Sequence, residues 1–295
     1  MTIPDYVFTT EDDAVKVGVW DAEKQEWSDN DIEDLSRDMQ KRQLEFNTRK
    51  FAPIAYLQSK TLDFPYDSWF LRSIGPQRAL LSIVTKRIKV EIELHPLFVK
   101  LVDMNQPELK HIVGKELHPG MLLKELSKSG IHLMPEDEDA ERGGIHLKDK
   151  LAEERAIMDI SQTLKVFSFQ SVKWSQQASE ENIVVRLREN PDNDKFFLED
   201  DESDWKSIMW WNNKVAYINC RNCADKFDGS IMEGQATHAI LSLAVQGVQS
   251  DDAVENCQMY HDIDFIDTVK KTLRLTRLLA FTTAAYDKRT LEEQQ

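Results

Sequence analysis

RIKVEIEL, residues 87–94, is the stretch that decides the fold. Ile88, Val90, Ile92 and Leu94 fall on one side of an extended chain, and Arg87, Lys89, Glu91 and Glu93 on the other. Successive strand side chains point to opposite faces, so strict alternation marks a half-buried antiparallel strand. Upstream, SWFLRSI (68–74) and ALLSIVT (79–85) flank a turn signal at Gly75–Pro76–Gln77. Downstream, LFVKLVDM (97–104) offers a fourth strand, so the region reads as a meander.

A second strand group follows later in the chain: VFSFQSVKW (166–174), NIVVRLRE (182–189), WKSIMWW (205–211), KVAYINC (214–220) and THAILSLAV (237–245). Asn212–Asn213 joins two of these as a two-residue hairpin turn, because asparagine tolerates the positive φ that a type I′ turn requires. Helical periodicity appears in four places. DIEDLSRDMQKRQLEF (31–46) places Ile32, Leu35, Met39 and Phe46 on one stripe, with Asp31 as N-cap, and predicts a surface helix. HPGMLLKELSKSG (118–130) opens with Pro119, buries Leu122, Leu123 and Leu126, and ends at Gly130. KLAEERAIMDISQTLKVF (150–167) follows, with Leu151, Ile157, Met158, Ile160 and Leu164 apolar. DIDFIDTVKKTLRLTRLLAF (262–281) carries Phe265, Val269, Leu273 and Ala280 on one face, widened by Leu275, Leu278 and Leu279.

Strands and helices are grouped, not alternated, which predicts an α+β fold: antiparallel, β-rich, sandwich-like sheets with flanking amphipathic helices. The expected organisation is an N-terminal segment with the surface helix (1–50), a β-rich domain (51–133), a charged Gly-containing linker (134–150), a second β-rich domain with a C-terminal helix (151–285) and a frayed tail (286–295).

The 295 residues carry a formal net charge of −15 and 41% hydrophobic residues. That is enough apolar material for a substantial core, and its acidity opposes binding to phosphate backbones and anionic membranes. Nucleic acid and membrane are therefore not expected partners. No apolar run reaches membrane-span length, and MTIPDYVFTTEDD lacks the basic-then-apolar order of a signal peptide. The acidic runs SDNDIED (28–34), EDEDAE (136–141) and EDDESD (199–204) lack the Gly-centred ligand spacing of a calcium loop and read as solvated.

Three cysteines are too few for a disulfide framework. Cys220 and Cys223 form C-x-x-C, and with His238, Cys257 and His261 a tetrahedral zinc site can be written on paper. Against it, the pair ends a strand and lacks a second close pair. Redox chemistry would place the pair at a helix N-terminus, and here loop follows. The expectation is structural thiols, with no metal and no cofactor. No phosphate-binding glycine loop, dinucleotide fingerprint, H-E-x-x-H or nucleophile elbow is present, so the chain reads as a binding component and not an enzyme. The expected partner-binding residues are Lys270, Lys271, Arg274 and Arg277 on the C-terminal helix, and Ile32, Leu35 and Met39 on the N-terminal one.

Four blocks in order resemble one family: RKFAPIAYLQSKTLDFPYDSWFLRSI (49–74), PGMLLKELSKSGIHLMPEDED (119–139), FSFQSVKWSQQ (167–177, with Ser175 where Asn is usual) and FIDTVKKTLRLTRLLAF (265–281). This is similar to the cancer susceptibility candidate 1 family, also called dynein axonemal intermediate chain seven, from about Arg49 to Phe281. The resemblance implies a non-catalytic subunit of an inner-arm axonemal dynein in motile cilia and flagella. It implies contacts with dynein heavy and intermediate chains and with tubulin of the doublet microtubule, residence in the axoneme, and passage through the cytoplasm. A cytoplasmic dynein-assembly adaptor is the alternative it leaves open. Family members carry a Lys- and Glu-rich helical N-terminal region; this chain begins near the globular part and reads as a short form or fragment.

Overall fold

A computed structural model describes residues 1–11, 13, 16–190, 204–258 and 262–286. Val15, most of the acidic run at 199–204, His261 and the tail beyond Tyr286 lie outside the described residues. Strands β1 (Lys16–Asp21), β2 (Glu26–Ser28), β3 (Ile32–Asp38), β4 (Gln43–Thr48) and β5 (Ile54–Leu57) come first. Then follow β6 (Ser68–Gly75), β7 (Arg78–Val84), β8 (Lys89–Leu94) and β9 (Val99–Leu101). Helices α1 (Pro119–Lys128), α2 (Asp137–Gly143) and α3 (Lys150–Thr163) lead into β10 (Phe167–Gln170), β11 (Ile183–Glu189), β12 (Lys206–Trp211) and β13 (Lys214–Ile218). Helices α4 (Leu241–Ala244), α5 (Asp251–Gln258) and α6 (Ile263–Thr276) complete the order.

The centre is one eight-stranded antiparallel sheet, ordered β13-β12-β11-β10-β6-β7-β8-β9. The alternation at 87–94 holds on its apolar side: Val90, Ile92 and Leu94 are buried against Ile83, Leu81 and Ala79 of β7, their register partners. Asn212 and Asn213 both take positive φ and turn β12 into β13. One sheet face packs on α1, α3 and α6, so Trp69, Phe169, Leu187 and Tyr217 share a core with Leu122, Ile160, Val269 and Leu273. The opposite face carries a smaller cluster in which Val172 and Trp174 cover Val184, Met209 and Ile218. The α+β class with antiparallel sheets therefore holds, and the main core lies between sheet and helices.

The segment 134–150 does not separate two sheets. β10, which follows it, pairs directly with β6, which precedes it, through Phe169↔Leu71 and Gln170↔Phe70. Within the segment α2 forms, Ala140 and Ile145 join the main core, and Gly144 (φ 64) ends the helix. Charge concealed this, because the acidic residues of EDEDAE sit in the first turn of a helix, where the dipole favours them.

The surface helix expected at 31–46 is a hairpin. β3 and β4 pair with Arg37↔Leu44 and Asp38↔Gln43 in register, and Asp34 (φ 53) and Arg42 (φ 51) take conformations that end a helix. Fully buried Leu44 lies off the supposed stripe, and it packs with Ile3, Val7 and Val17, to which Ile32 and Phe46 add. Asp31 caps nothing here; the Asp38 carboxylate accepts from Lys41 N–H at 3.0 Å and closes the turn. THAILSLAV is likewise not a strand: Leu241, Ala244 and Val245 stand at helical spacing, and the short α4 buries all three. α6 stops at Arg277 (φ 50), so Leu278, Leu279, Ala280 and Phe281 reach the core after the helix and not along its face.

Candidate interaction surfaces

The cysteine constellation is dispersed. Cys220 sits in the smaller cluster on one sheet face, and Cys257 on α5 joins the main core on the other. Cys223 is exposed, and none of the three cysteines is in a disulfide among the described residues. Burial pushes both Cys220 and Cys257 up to about 11, opposite to what a thiolate ligand needs. The backbone of His238 bridges to Val215 at the edge of the sheet. Among the described residues, no group of three His, Cys, Asp or Glu side chains could hold a metal.

The cations of the C-terminal segment are placed in three ways. Lys271 pairs with Asp267 at 2.6 Å, one turn back on α6. Arg274 reaches across to α3, its Nε donating to Glu154 Oε2 at 2.8 Å. Arg277 is largely buried, pairs with Asp137 of α2 and lies 3.5 Å from Glu153 of α3. Lys270 is half-buried on α6. Of the N-terminal trio, Leu35 is exposed on β3, Ile32 packs on the small core and Met39 is half-buried in the hairpin turn.

A second ionic centre escaped the sequence reading, which put Arg87 on the solvent side of β8. Its side chain is 6% exposed. Nε and Nη2 donate to the two oxygens of Asp63 at 3.0 and 2.7 Å, Nη1 donates to Asp13 at 2.9 Å, and Nη2 also reaches the Gly130 carbonyl at 2.7 Å. Asp63 accepts in addition from His132 N–H at 2.7 Å. Burial pushes Asp13 up, but hydrogen bonds from Thr10 and the Arg87 charge outweigh it and hold the carboxyl below its ordinary value. Gly130 closes this centre with φ +82; a Cβ there would stand 2.8 Å from the Phe8 carbonyl. No local pattern marked it: Arg87 continues the alternation of 87–94, and the structure places it in the turn before β8, where the chain has not yet entered the pleat.

Lys148 is a third buried charge, and burial lowers it to about 8. Its ammonium donates to the Ala178 and Ser179 carbonyls at 3.0 and 3.1 Å, tying the loop before α3 to the loop after Trp174. Because its folded value lies below 10.5, the unfolded chain binds more protons between about pH 8 and 10.5, and stability due to this group rises with pH there. The expected result is that unfolding free energy, measured by urea titration, shows this rise in the wild type and loses it in Lys148→Met.

No family model matches the chain. Curated relatives do: dynein axonemal intermediate chain 7 of Bos taurus is 24% identical over 276 residues, covering 90% of this chain and 37% of that protein. The Danio rerio protein of the same name is 25% identical over 282 residues, covering 95% and 38%. The Homo sapiens protein is 23% identical over 273 residues, covering 89% and 36%. The chain is a relative of dynein axonemal intermediate chain 7. It spans a little over a third of the length of these relatives. The four resembling blocks coincide with β5 to β6, α1 and the start of α2, β10 with Trp174, and α6, which include the two central strands of the eight-stranded sheet, β6 and β10, and two of the three helices that cover it.

Proposed function

We propose that the chain acts as a non-catalytic subunit of an inner-arm axonemal dynein in motile cilia and flagella, working through protein–protein contacts. The observation that carries this reading is the similarity to dynein axonemal intermediate chain 7 along about nine-tenths of the chain. The buried charged centres suit it, because Arg87 and Arg277 hold structural elements together. The partners on this reading are the dynein heavy and intermediate chains, with the doublet microtubule adjacent, and the candidates for contact are exposed Lys271 and Leu35 with half-buried Lys270.

The test is fractionation of motile cilia. Axonemes are stripped with high salt and the extract is run on a density gradient. The expected result is sedimentation of the chain with one inner-arm heavy-chain complex, and loss of that co-migration when Lys270 and Lys271 are both changed to Glu in a folded variant. Absence from axonemes with abundance in cytoplasm would overturn the subunit reading in favour of an assembly adaptor.

A further inference from the structure

The tip of the β8–β9 hairpin holds an arrangement that folding alone does not call for. Leu94 pairs with Val99, so His95–Pro96–Leu97–Phe98 is a tight turn. Leu97 has φ 72. With proline ahead of it, this is the third position of a type II turn, where glycine is the residue that fits without strain. Among the described residues, Leu97 is the only apolar side chain with a positive φ. It is also 68% exposed, so little burial of its side chain offsets the conformation.

The turn is held rigidly. Leu97 N–H donates to Thr268 Oγ1 of α6 at 3.0 Å, and that hydroxyl donates onward to the Asp264 carbonyl at 3.0 Å. His95 N–H donates to the Phe98 carbonyl at 3.0 Å, and the two rings stack at 4.7 Å. The Lys100 ammonium lies 5.1 Å from the Phe98 ring. Beside this tip, the first turn of α6 exposes Asp264 and, next to it in the chain, Ile263, which is 74% exposed. Asp264 makes no ion pair among the described residues, whereas Asp267 further along the helix is neutralised by Lys271. The tip therefore presents one strained, buttressed aliphatic side chain flanked by an exposed carboxylate that no ion pair among the described residues neutralises.

We propose that the Pro96–Leu97 tip is a docking element that seats Leu97 in an apolar pocket, bordered by a cationic side chain, on a neighbouring protein of the dynein complex. Backbone strain kept at an exposed residue is accounted for when the side chain is needed elsewhere. A rigid anchor loses little conformational entropy on binding, and the free carboxylate selects a partner of opposite charge.

This inference rests on the subunit reading above. The test measures binding of the purified chain to the dynein complex released from axonemes by high salt and purified on a gradient. Leu97→Gly keeps the N–H that bonds Thr268 and relieves the positive φ, so its Tm is expected to rise by about 2 °C. Its affinity for the complex is expected to fall by about tenfold. Asp264→Asn is expected to bind roughly threefold more weakly and with a flatter salt dependence. Binding of Leu97→Gly within about twofold of wild type would overturn the inference and leave the subunit reading standing. Failure of the wild-type chain itself to bind would remove both.

Discussion

Arg87→Met is expected to destabilise the protein by about 3–5 kcal/mol, the cost of removing one partner from a buried ion pair. The substitution keeps most of the apolar stem and deletes the guanidinium. It leaves the Asp13 and Asp63 carboxylates, 2% and 1% exposed, with no opposing charge. It also strips the Gly130 carbonyl of its donor. Four separate pieces of chain meet at this one group: the N-terminal segment, the loop before β6, the turn before β8 and the end of α1. Local opening is therefore expected to accompany the global loss, with faster amide exchange at His132, whose N–H is bonded to Asp63. Adding Asp63→Asn to Arg87→Met is expected to recover part of the loss, because one of the orphaned charges is gone. The centre also sets an acid limit. Asp13 is held below 3.8 in the folded state, so its contribution is complete above that value and is lost as pH falls through the folded one. Urea titrations of wild type and Arg87→Met at pH 7 and near pH 3 check both statements: the difference between the two proteins should shrink on acidification. Equal stability at pH 7 would show that the centre is dispensable.

The contrast between Arg87 and its neighbours shows where sequence reasoning reaches and where it stops. Val90, Ile92 and Leu94 were legible because a period of two is a property of the strand itself. The turns at Gly75–Gln77 and Asn212–Asn213, the bounds of α1 and the buried stripe Phe265–Val269–Leu273 of α6 were legible for the same reason: each is written within a dozen residues. Arg87 shares the polar side of the same alternating stretch, yet its environment is made by Asp13 and Asp63, 74 and 24 residues away. The β3–β4 hairpin failed similarly. Ile32, Leu35 and Met39 fit a helical stripe, and what overrides it is the burial of Leu44 against Ile3 and Val17, contacts that no local window contains. The joining of β10 to β6 is the largest case, since a charged stretch between them looks the same whether the flanking strands meet or not.

Of the cysteines expected to pack as structural thiols, Cys220 and Cys257 are buried and Cys223 is exposed; free cysteine is often buried on apolar grounds alone, but a C-x-x-C written at a strand end does not say which of its two thiols turns inward. The exposed leucine at the β8–β9 tip was invisible. Nothing in LFVKLVDM distinguishes a residue in the pleat from one at positive φ, and a leucine is not the residue from which a turn is read.

Arg277→Ala is expected to cost about 3–5 kcal/mol and to do so by a route that separates clamping from docking. The residue ends α6 with φ 50, its N–H bonded to the Leu273 carbonyl at 2.9 Å, and its guanidinium lies 5.2 Å from the Phe281 ring. From there it reaches Asp137 on α2 and Glu153 on α3, so one side chain ties three helices. Asp137 keeps a second partner in Lys150 at 2.8 Å. Glu153 does not: its Oε1 is buried without a partner, and burial already holds its carboxyl above the ordinary value despite Arg277. Removing the guanidinium raises it further. The sign follows from that direction. A carboxyl whose folded value exceeds 4.5 binds more protons in the folded state, so stability falls as pH rises through the interval between the two values. Arg277→Ala widens the interval, and its destabilisation should be larger at pH 7 than near pH 4, where Glu153 takes up a proton. Arg277→Ala with Glu153→Gln should regain more than half of the loss at pH 7, because no buried charge is then left alone. A docking residue behaves otherwise: its truncation leaves stability within about 0.5 kcal/mol and lowers partner affinity. Urea titrations of the single and double variants at the two pH values decide between them, and an unchanged midpoint for Arg277→Ala would return Arg277 to the binding surface with Lys270 and Lys271.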